Sequence, residues 1–596
     1  VFAAVYMFVL AWVVSQIITG ISSAKEDIVS AALKRLFLKQ SDIKAAEVHR
    51  TSLDARNNQR IKLVSSVWLE LNDKSLEIKL GERSDICTYV DSETKNILPE
   101  KCGDERLEGR VVVTGFGPCG MFAALTLAER GYRPLVIERG GCIEERVKAV
   151  NGFWNGGGFS EQTNVQFGEG GAGTFSDGKL TTRIKDPSCR LVLEKFAEFG
   201  APEEILFKAK PHIGTDKLRN IVRSIREKII ELGGEVRFDS KLTDIETRDG
   251  KIVGITINGS EKTACGALIL AIGHSARDTF EMLLSKNIFI EPKPFSVGAR
   301  IEHKQIDVNR SLYGAQYNNP RLPQGEYQLS YRRNGRGVYT FCMCPGGTVV
   351  PSQSEENSVV TNGMSEFARD GENANAAVVV SVSPEDYGSS PLDGVAFARN
   401  IEKKAFELAG KSYKAPACTV GSFLNKGGSL KNARVSPTYA RGVEECDFRE
   451  LFPEFVTDMM EVGLRSFAGK MKCFGDDSAV SAHIKGAYLL IVCKDANGAV
   501  TAAADDISRK FHVLSCKVIA EIIIFVSDLA AVCDIDDDPL EHVLFNNCCA
   551  AFKYAGNISG SYLIRIKRLF KSERGHFHRG DSAVGENFNS FHTATS

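Results

Sequence analysis

The hexapeptide Gly115-Phe116-Gly117-Pro118-Cys119-Gly120 follows the apolar run VVVT at 111–114 and opens the helix-compatible stretch MFAALTLAER. Its three glycines can do separate work: Gly115 permits a tight turn, Gly117 lets a pyrophosphate approach, and Gly120 lets the helix pack on its strand. A helix starting here offers unpaired N–H groups and a positive dipole end to a phosphate. Glu138 closes a second apolar run, PLVIE, where its carboxylate can accept hydrogen bonds from a ribose. Pro118 and Arg139 join these as candidate binding residues. Cys119 occupies a position that needs only a small side chain, so it reads as a substitute for alanine. Strand, glycine turn, helix, strand and terminal acid together indicate dinucleotide binding.

A third apolar run, ALILAIG, ends at Ala271 and Gly273. This brings bare backbone to the carboxyl edge of a parallel sheet, where the ligands of such sheets sit. A return of this kind suits an extended FAD better than a nicotinamide dinucleotide alone. Between the two edges runs FGEGGAGTFSDGKL, with Gly168, Gly170, Gly171 and Gly173. The expectation is that the flavin half of FAD lies against this backbone, with slack linker as the alternative. Further candidates follow. His274 could exchange a proton and Arg277 could hold an anion. Lys179 and Arg183 could neutralise a pyrophosphate, and Cys342 and Cys344 could form a redox relay or simply pack.

These groups need positioning elements. HIGTDKLRNIVRSIREKIIELGGEVRF reads as a long amphipathic helix running into a strand, and TRDGKIVGITING as a hairpin. YQLSYRRNGRGVYTFCMC and NAAVVVSV read as strands of an inserted domain, and GVAFARNIEKKAFELAG as its helix. Upstream, KEDIVSAALKRLFL is helical in spacing and RIKLVSSVWLEL extended. The expected organisation has six parts: an apolar leader (1–24), a small α+β domain (25–105), an FAD-binding domain (106–289), an inserted substrate-type α+β domain (290–435), a return to the FAD domain (436–475) and an atypical tail (476–596).

The segments FGEGGAGTFSDGKLTTRIKDP, PHIGTDKLR, LILAIGHSARDTFEML, PKPFSVGARIEH and YKAPACTVGSFL resemble the FAD-dependent dehydrogenase family of bacteria and plastids, a group of NAD(P)/FAD-dependent oxidoreductases. The resemblance covers residues 26–475. It implies an α/β fold: a Rossmann-like, two-dinucleotide-binding FAD domain interrupted by an α+β domain and preceded by a small α+β domain. It implies FAD as cofactor, NAD(P)H as a candidate transient electron donor and a small-molecule substrate, without naming that substrate. The family closes on the flavin with a glycine-rich turn after FGDDSAV, which residues 476–596 lack. The tail is therefore expected to be a different domain or the product of a lost exon or frame, with weakened flavin retention.

The alternatives carried forward are a flavin-binding modifying or structural protein without dehydrogenase turnover, and a relic that no longer binds FAD. A formal net charge of −1 over 596 residues, with no basic aromatic patch, argues against a nucleic-acid partner. The 16 cysteines follow no repeated spacing and include no CxxC pair, which suits reduced structural thiols and no metal site. VFAAVYMFVLAWVVSQIITGISSA carries no charge before Lys25 and leaves three readings: a membrane-contacting anchor, a targeting segment or a translation artefact. The expected location is cytoplasmic or organellar, and the oligomeric state stays open.

Overall fold

The computed structural model describes residues 10–73, 76, 80, 87–91, 107, 109–181, 188–475, 480–483 and 522–524. Within the expected leader (1–24), residues 1–9 lie outside the described residues, and Leu10–Gly20 is, contrary to an apolar leader, a strand inside a four-stranded sheet. It pairs antiparallel with Lys62–Leu71 on one side and Cys87–Asp91 on the other, while Ile43–Asp54 adds at the edge. Val14 and Ile17, at 0% and 2% exposure, both face the core despite an odd spacing. A bulge between them, with Gln16 at φ 58°, supplies the residue that restores the face. The helix Lys25–Leu36 covers the sheet with Ile28, Ala32, Leu33 and Leu36, and its acids and bases sit at the dipole ends that favour them. Among the described residues, no helix is long and apolar enough to cross a membrane.

The second unit is a parallel sheet in the order Ile522–Ile524, Ala267–Leu270, Val111–Thr114, Leu135–Ile137, Glu235–Arg237. Its two central strands are buried at every position, as parallel strands covered on both faces must be. Val111 and Val113 pack under the helices Pro118–Glu129 and Thr215–Glu231. Val112 faces the other way, toward the hairpin Leu242–Arg248/Lys251–Ile257 and the helix Arg277–Ser285.

The third unit holds seven strands in the order Ser330–Arg333, Arg336–Cys344, Asn373–Val382, Phe295–Lys304, Val480–His483, Ala415–Thr419, Val443–Glu445. The expected insert strands and the helix Asp393–Leu408 are here. The return to the FAD domain over 436–475 is not. The helix Glu454–Lys470 instead buries Val456, Met460, Leu464 and Phe467 in the core of this seven-stranded sheet (the second of the two large sheets, the parallel one being the first). Val480–His483 pairs antiparallel with both of its neighbours, so the sheet also runs past the expected boundary at 475. Most of the expected tail lies outside the described residues.

Strand and anchor make opposite demands on adjacent apolar residues. Val14→Asp places a carboxylate in the core and should cost on the order of 3 kcal/mol or more. Ile18→Asp, at a position 56% exposed, should leave stability nearly unchanged. Urea unfolding of the two variants checks this, and equal losses would contradict the strand.

Candidate cofactor-binding site

The site forms where Val111–Thr114 ends. Gly115, at φ +94°, lies so close to the Ala271 carbonyl that a Cβ would not fit, and a Cβ on Gly120 would collide with the Gly115 carbonyl. The turn is therefore pressed against the third apolar strand on one side and its own helix on the other. Pro118 takes the first helical position, where a missing N–H is harmless. The helix N-cap is Gly117, without a capping side chain, and the first turn holds no acid. No capping side chain or first-turn acid therefore answers its N-terminal N–H groups and dipole. Gly273, at φ +67°, has open space where a side chain would stand.

Glu138 holds this region together. It is 5% exposed and accepts the backbone N–H of Phe116 at 2.7 Å, of Gly140 at 3.0 Å and of Gly168 at 2.9 Å. A carboxylate offers about four acceptor sites, so about one remains for a ribose hydroxyl. The sequence reading assigned Glu138 to the ligand; most of its capacity goes to the protein's own turns. Arg139 is equally committed. It grips both Asp278 oxygens at 2.8 and 3.2 Å, donates to Thr279 and lies 4.3 Å over the Phe167 ring.

The glycine segment has an explanation that sequence reasoning missed, and its residue is Arg146. Fully buried, it donates to the carbonyls of Asn164 at 2.9 Å, Val165 at 2.8 Å and Glu169 at 2.6 Å. Burial pushes its pKa down to about 9 against the pull of Glu138 and Glu169. A Cβ on Gly168, at φ +116°, would sit 2.5 Å from the Arg146 side chain. One on Gly170 would strike Thr174, and one on Gly171 would lie 2.9 Å from the Gly117 Cα. Three of the four glycines are thus bare because the protein packs against itself there, a requirement that stands beside the expectation that the flavin half of FAD lies against this backbone. Gly173 lies within the short turn Gly171–Phe175. The available signal was Arg146 on the buried face formed by Ile143, Val150 and Phe153.

Beyond the glycines, Asp177 is fully buried and pairs with Arg369, with Lys179 Nζ 3.5 Å away. Lys179 also donates to the Met343 carbonyl, while Arg183 lies outside the described residues. Arg277 is no open anion receptor: its two terminal nitrogens meet Glu355 and Glu402 at 2.7 Å each. His274 Nδ1 lies 3.0 Å from the Ser275 hydroxyl. Cys342 sits at φ +44° in a bulge that breaks strand alternation, so the two thiols do not share a face by simple register. Cys344 is buried and is held protonated by its side-chain contact with Cys342 and by burial.

Two outcomes follow. Glu138→Ala orphans three backbone donors. It should cost roughly 3 kcal/mol or more, read by urea unfolding. Burial by itself would raise the Asp177 pKa, but Lys179 and Arg369 overcome it and hold it at about 2, below the ordinary 3.8. A depressed carboxylate stabilises fully above its ordinary pKa and less as pH falls toward the folded value. About 2 kcal/mol should therefore disappear between roughly pH 4 and 2, and Asp177→Asn should flatten that limb of the stability–pH curve.

Residues 294–485 match a family model described as FAD-dependent protein, C-terminal domain-like. An uncharacterized protein of Clostridium beijerinckii is 46% identical over 450 residues, which is 75% of this chain and 84% of that one. A thiamine thiazole synthase of Aeropyrum pernix is 25% identical over 156 residues, 26% of this chain and 46% of its own. The crystal structure of halogenase PltM with phloroglucinol and FAD overlaps at a TM-score of 0.27 with 12% identity, covering 50% of this chain and 56% of that chain. L-proline dehydrogenase from P. horikoshii overlaps at 0.21 with 16% identity, covering 33% of this chain and 61% of its own. Overlaps that low carry no weight. The Clostridium relative does, and with the match over the second sheet it places the chain in the FAD-dependent protein family.

Proposed function

We propose that this chain is an FAD-dependent oxidoreductase, a dehydrogenase acting on a small molecule whose identity is open, with NAD(P)H as a candidate transient donor. The observation that carries the reading is the Glu138 anchor beside an uncapped helix N-terminus, at the carboxyl edge of a parallel sheet. In this Rossmann-like reading, Gly115, Gly117, Pro118 and Gly120 would hold the diphosphate against the helix. The remaining acceptor site of Glu138 would meet the adenosine ribose, and Ala271 and Gly273 would form the second edge. FAD, when bound, supplies the redox chemistry. The chain's own groups orient and insulate. Arg139 is held in place by Asp278, and the Asp177–Arg369 pair fixes the segment leading from the glycine turns to the second sheet.

Gly117 separates cofactor binding from folding. Its backbone is extended, and a Cβ there would meet only the Gly171 Cα at an ordinary 3.7 Å. Gly117→Ala should change stability by less than about 1 kcal/mol. It should weaken FAD at least tenfold, because the added methyl stands where the diphosphate must approach. Flavin titration and unfolding of the same variant check both halves. Function is read from the absorbance spectrum of the purified protein and anaerobic bleaching by NADPH or a substrate library. A yellow protein that bleaches supports the oxidoreductase. A yellow protein inert to every donor favours the flavin-binding modifying or structural role, and a colourless protein that takes up no FAD overturns the proposal.

A further inference from the structure

The strand Arg336–Cys344 ends in an irregularity that its pairing does not require. Phe341 stands opposite Ala377 and Cys344 opposite Asn375, so three steps on this strand match two on its neighbour. Ala377 and Asn375 share a face, and Phe341 and Cys344 therefore share it too. The extra residue is Cys342, held at φ +44°. For a residue other than glycine this region costs on the order of 1 kcal/mol or more, and such strain collects where function uses it. Here the strain places a side chain. Cys342 packs against Tyr339, Phe341, Ala377 and Val379, whereas Met343 alone turns into the core on the other face. The Cys342 thiol thereby meets the side chain of Cys344, whose Sγ also donates to the Cys342 carbonyl at 3.4 Å.

The two sulfurs differ in access. Cys342 is partly exposed and Cys344 is fully buried, and neither is in a disulfide. Two cations close on the backbone between them. Arg300 donates to the Cys342 carbonyl at 3.1 and 3.2 Å, and Lys179 donates to that of Met343. Positive charge near a thiol favours the thiolate, which is the attacking form. Cys344 is kept protonated by its contact with Cys342 and by burial, against the pull of Lys179 and Arg300. An accessible sulfur beside a buried, protonated one is the arrangement of an attacking thiol and its resolving partner.

We infer that Cys342 and Cys344 form a redox-active dithiol that exchanges with small disulfides. Cys342, as thiolate, attacks one sulfur of the small disulfide. That S–S bond breaks, and one half leaves as a thiol, taking up the proton that Cys342 gave to water. The Cys344 sulfur then attacks the Cys342 sulfur of the mixed disulfide, and its proton goes to the second departing half. The protein has lost two electrons and two protons, and its new Cys342–Cys344 bond is balanced by two small thiols. Neither step uses flavin, so the inference stands apart from the proposed dehydrogenase, and the failure of one leaves the other intact.

Trypsin cuts the denatured chain after Arg336 and Arg369, and the fragment 337–369 holds these two cysteines and no others. The test treats reduced full-length protein with excess oxidised glutathione, quenches by alkylation, digests, and weighs this fragment by mass spectrometry. Folded protein should yield a fragment lighter by two hydrogens that takes up no alkyl group. Dithiothreitol should restore both alkylation sites. In urea the same pair should close at least tenfold more slowly, because only the fold holds the thiols together. Cys344→Ser should stop at the first step and leave the fragment heavier by one bound glutathione. Cys342→Ser should leave Cys344 unmodified. The inference is overturned if the folded wild-type fragment still takes up two alkyl groups, or if closure is equally fast in buffer and in urea. Glutathione bound to both sulfurs without closure overturns it as well. These wild-type readings decide the matter even where a serine variant fails to fold.

Discussion

A single carboxylate sets the geometry on which the dinucleotide region depends. Glu138 draws the backbone N–H groups of Phe116, Gly140 and Gly168 to one point, so turns far apart in sequence converge at one end of the parallel sheet. Bonds from N–H groups to an ionised acceptor are stronger than neutral ones, and in a site this buried they have little competition from water. Each turn is glycine-rich, so few of its own side chains fix its shape. Convergence on an anion works together with close backbone packing to order the turns.

The same rule, that a buried charge must be met, explains the wider layout. Arg146 caps the carbonyls of the 164–169 loop, and Glu169 meets Arg226 at 2.8 Å while accepting the Ile143 N–H. Burial raises the Glu169 pKa against the opposing pull of Arg226. Arg277, at the start of the helix behind Gly273, reaches Glu355 and Glu402 of the second sheet's domain. Asp177 and Arg369 make a second tie between the same two units. The units are thus joined by paired buried charges, which fix orientation more sharply than apolar contact would, since losing one partner strands the other.

Local chemistry was legible in the sequence and long-range pairing was not. The glycine turn, the helix Thr215–Glu231 and the hairpin around Asp249–Gly250 could be read because each depends on residues a few places apart. The parallel pairing of Val111–Thr114 with Ala267–Leu270 followed from two apolar runs ending in similar turns. Leu10–Gly20 misled because a half-buried strand with a bulge lacks clean alternation and resembles a leader in composition. The assignment of 436–475 failed because an amphipathic helix shows that it packs, not which sheet it packs on. Glu138 was read as a ligand residue, yet its partners within the protein lie up to thirty residues away and no periodicity reveals them.

The place of Val480–His483 in the second sheet has a consequence during synthesis. This strand lies between Phe295–Lys304 and Ala415–Thr419, yet it is translated after both. At ribosomal speeds of about 5–20 residues per second, Ala415–Thr419 waits several seconds and Phe295–Lys304 roughly ten seconds or more for the strand that separates them. Until it arrives, each presents an unpaired row of backbone donors and acceptors to any other extended chain nearby. Completion of the sheet is therefore coupled to synthesis past residue 483. A nascent chain stalled before residue 480 would carry two unpaired edges in place of one continuous sheet.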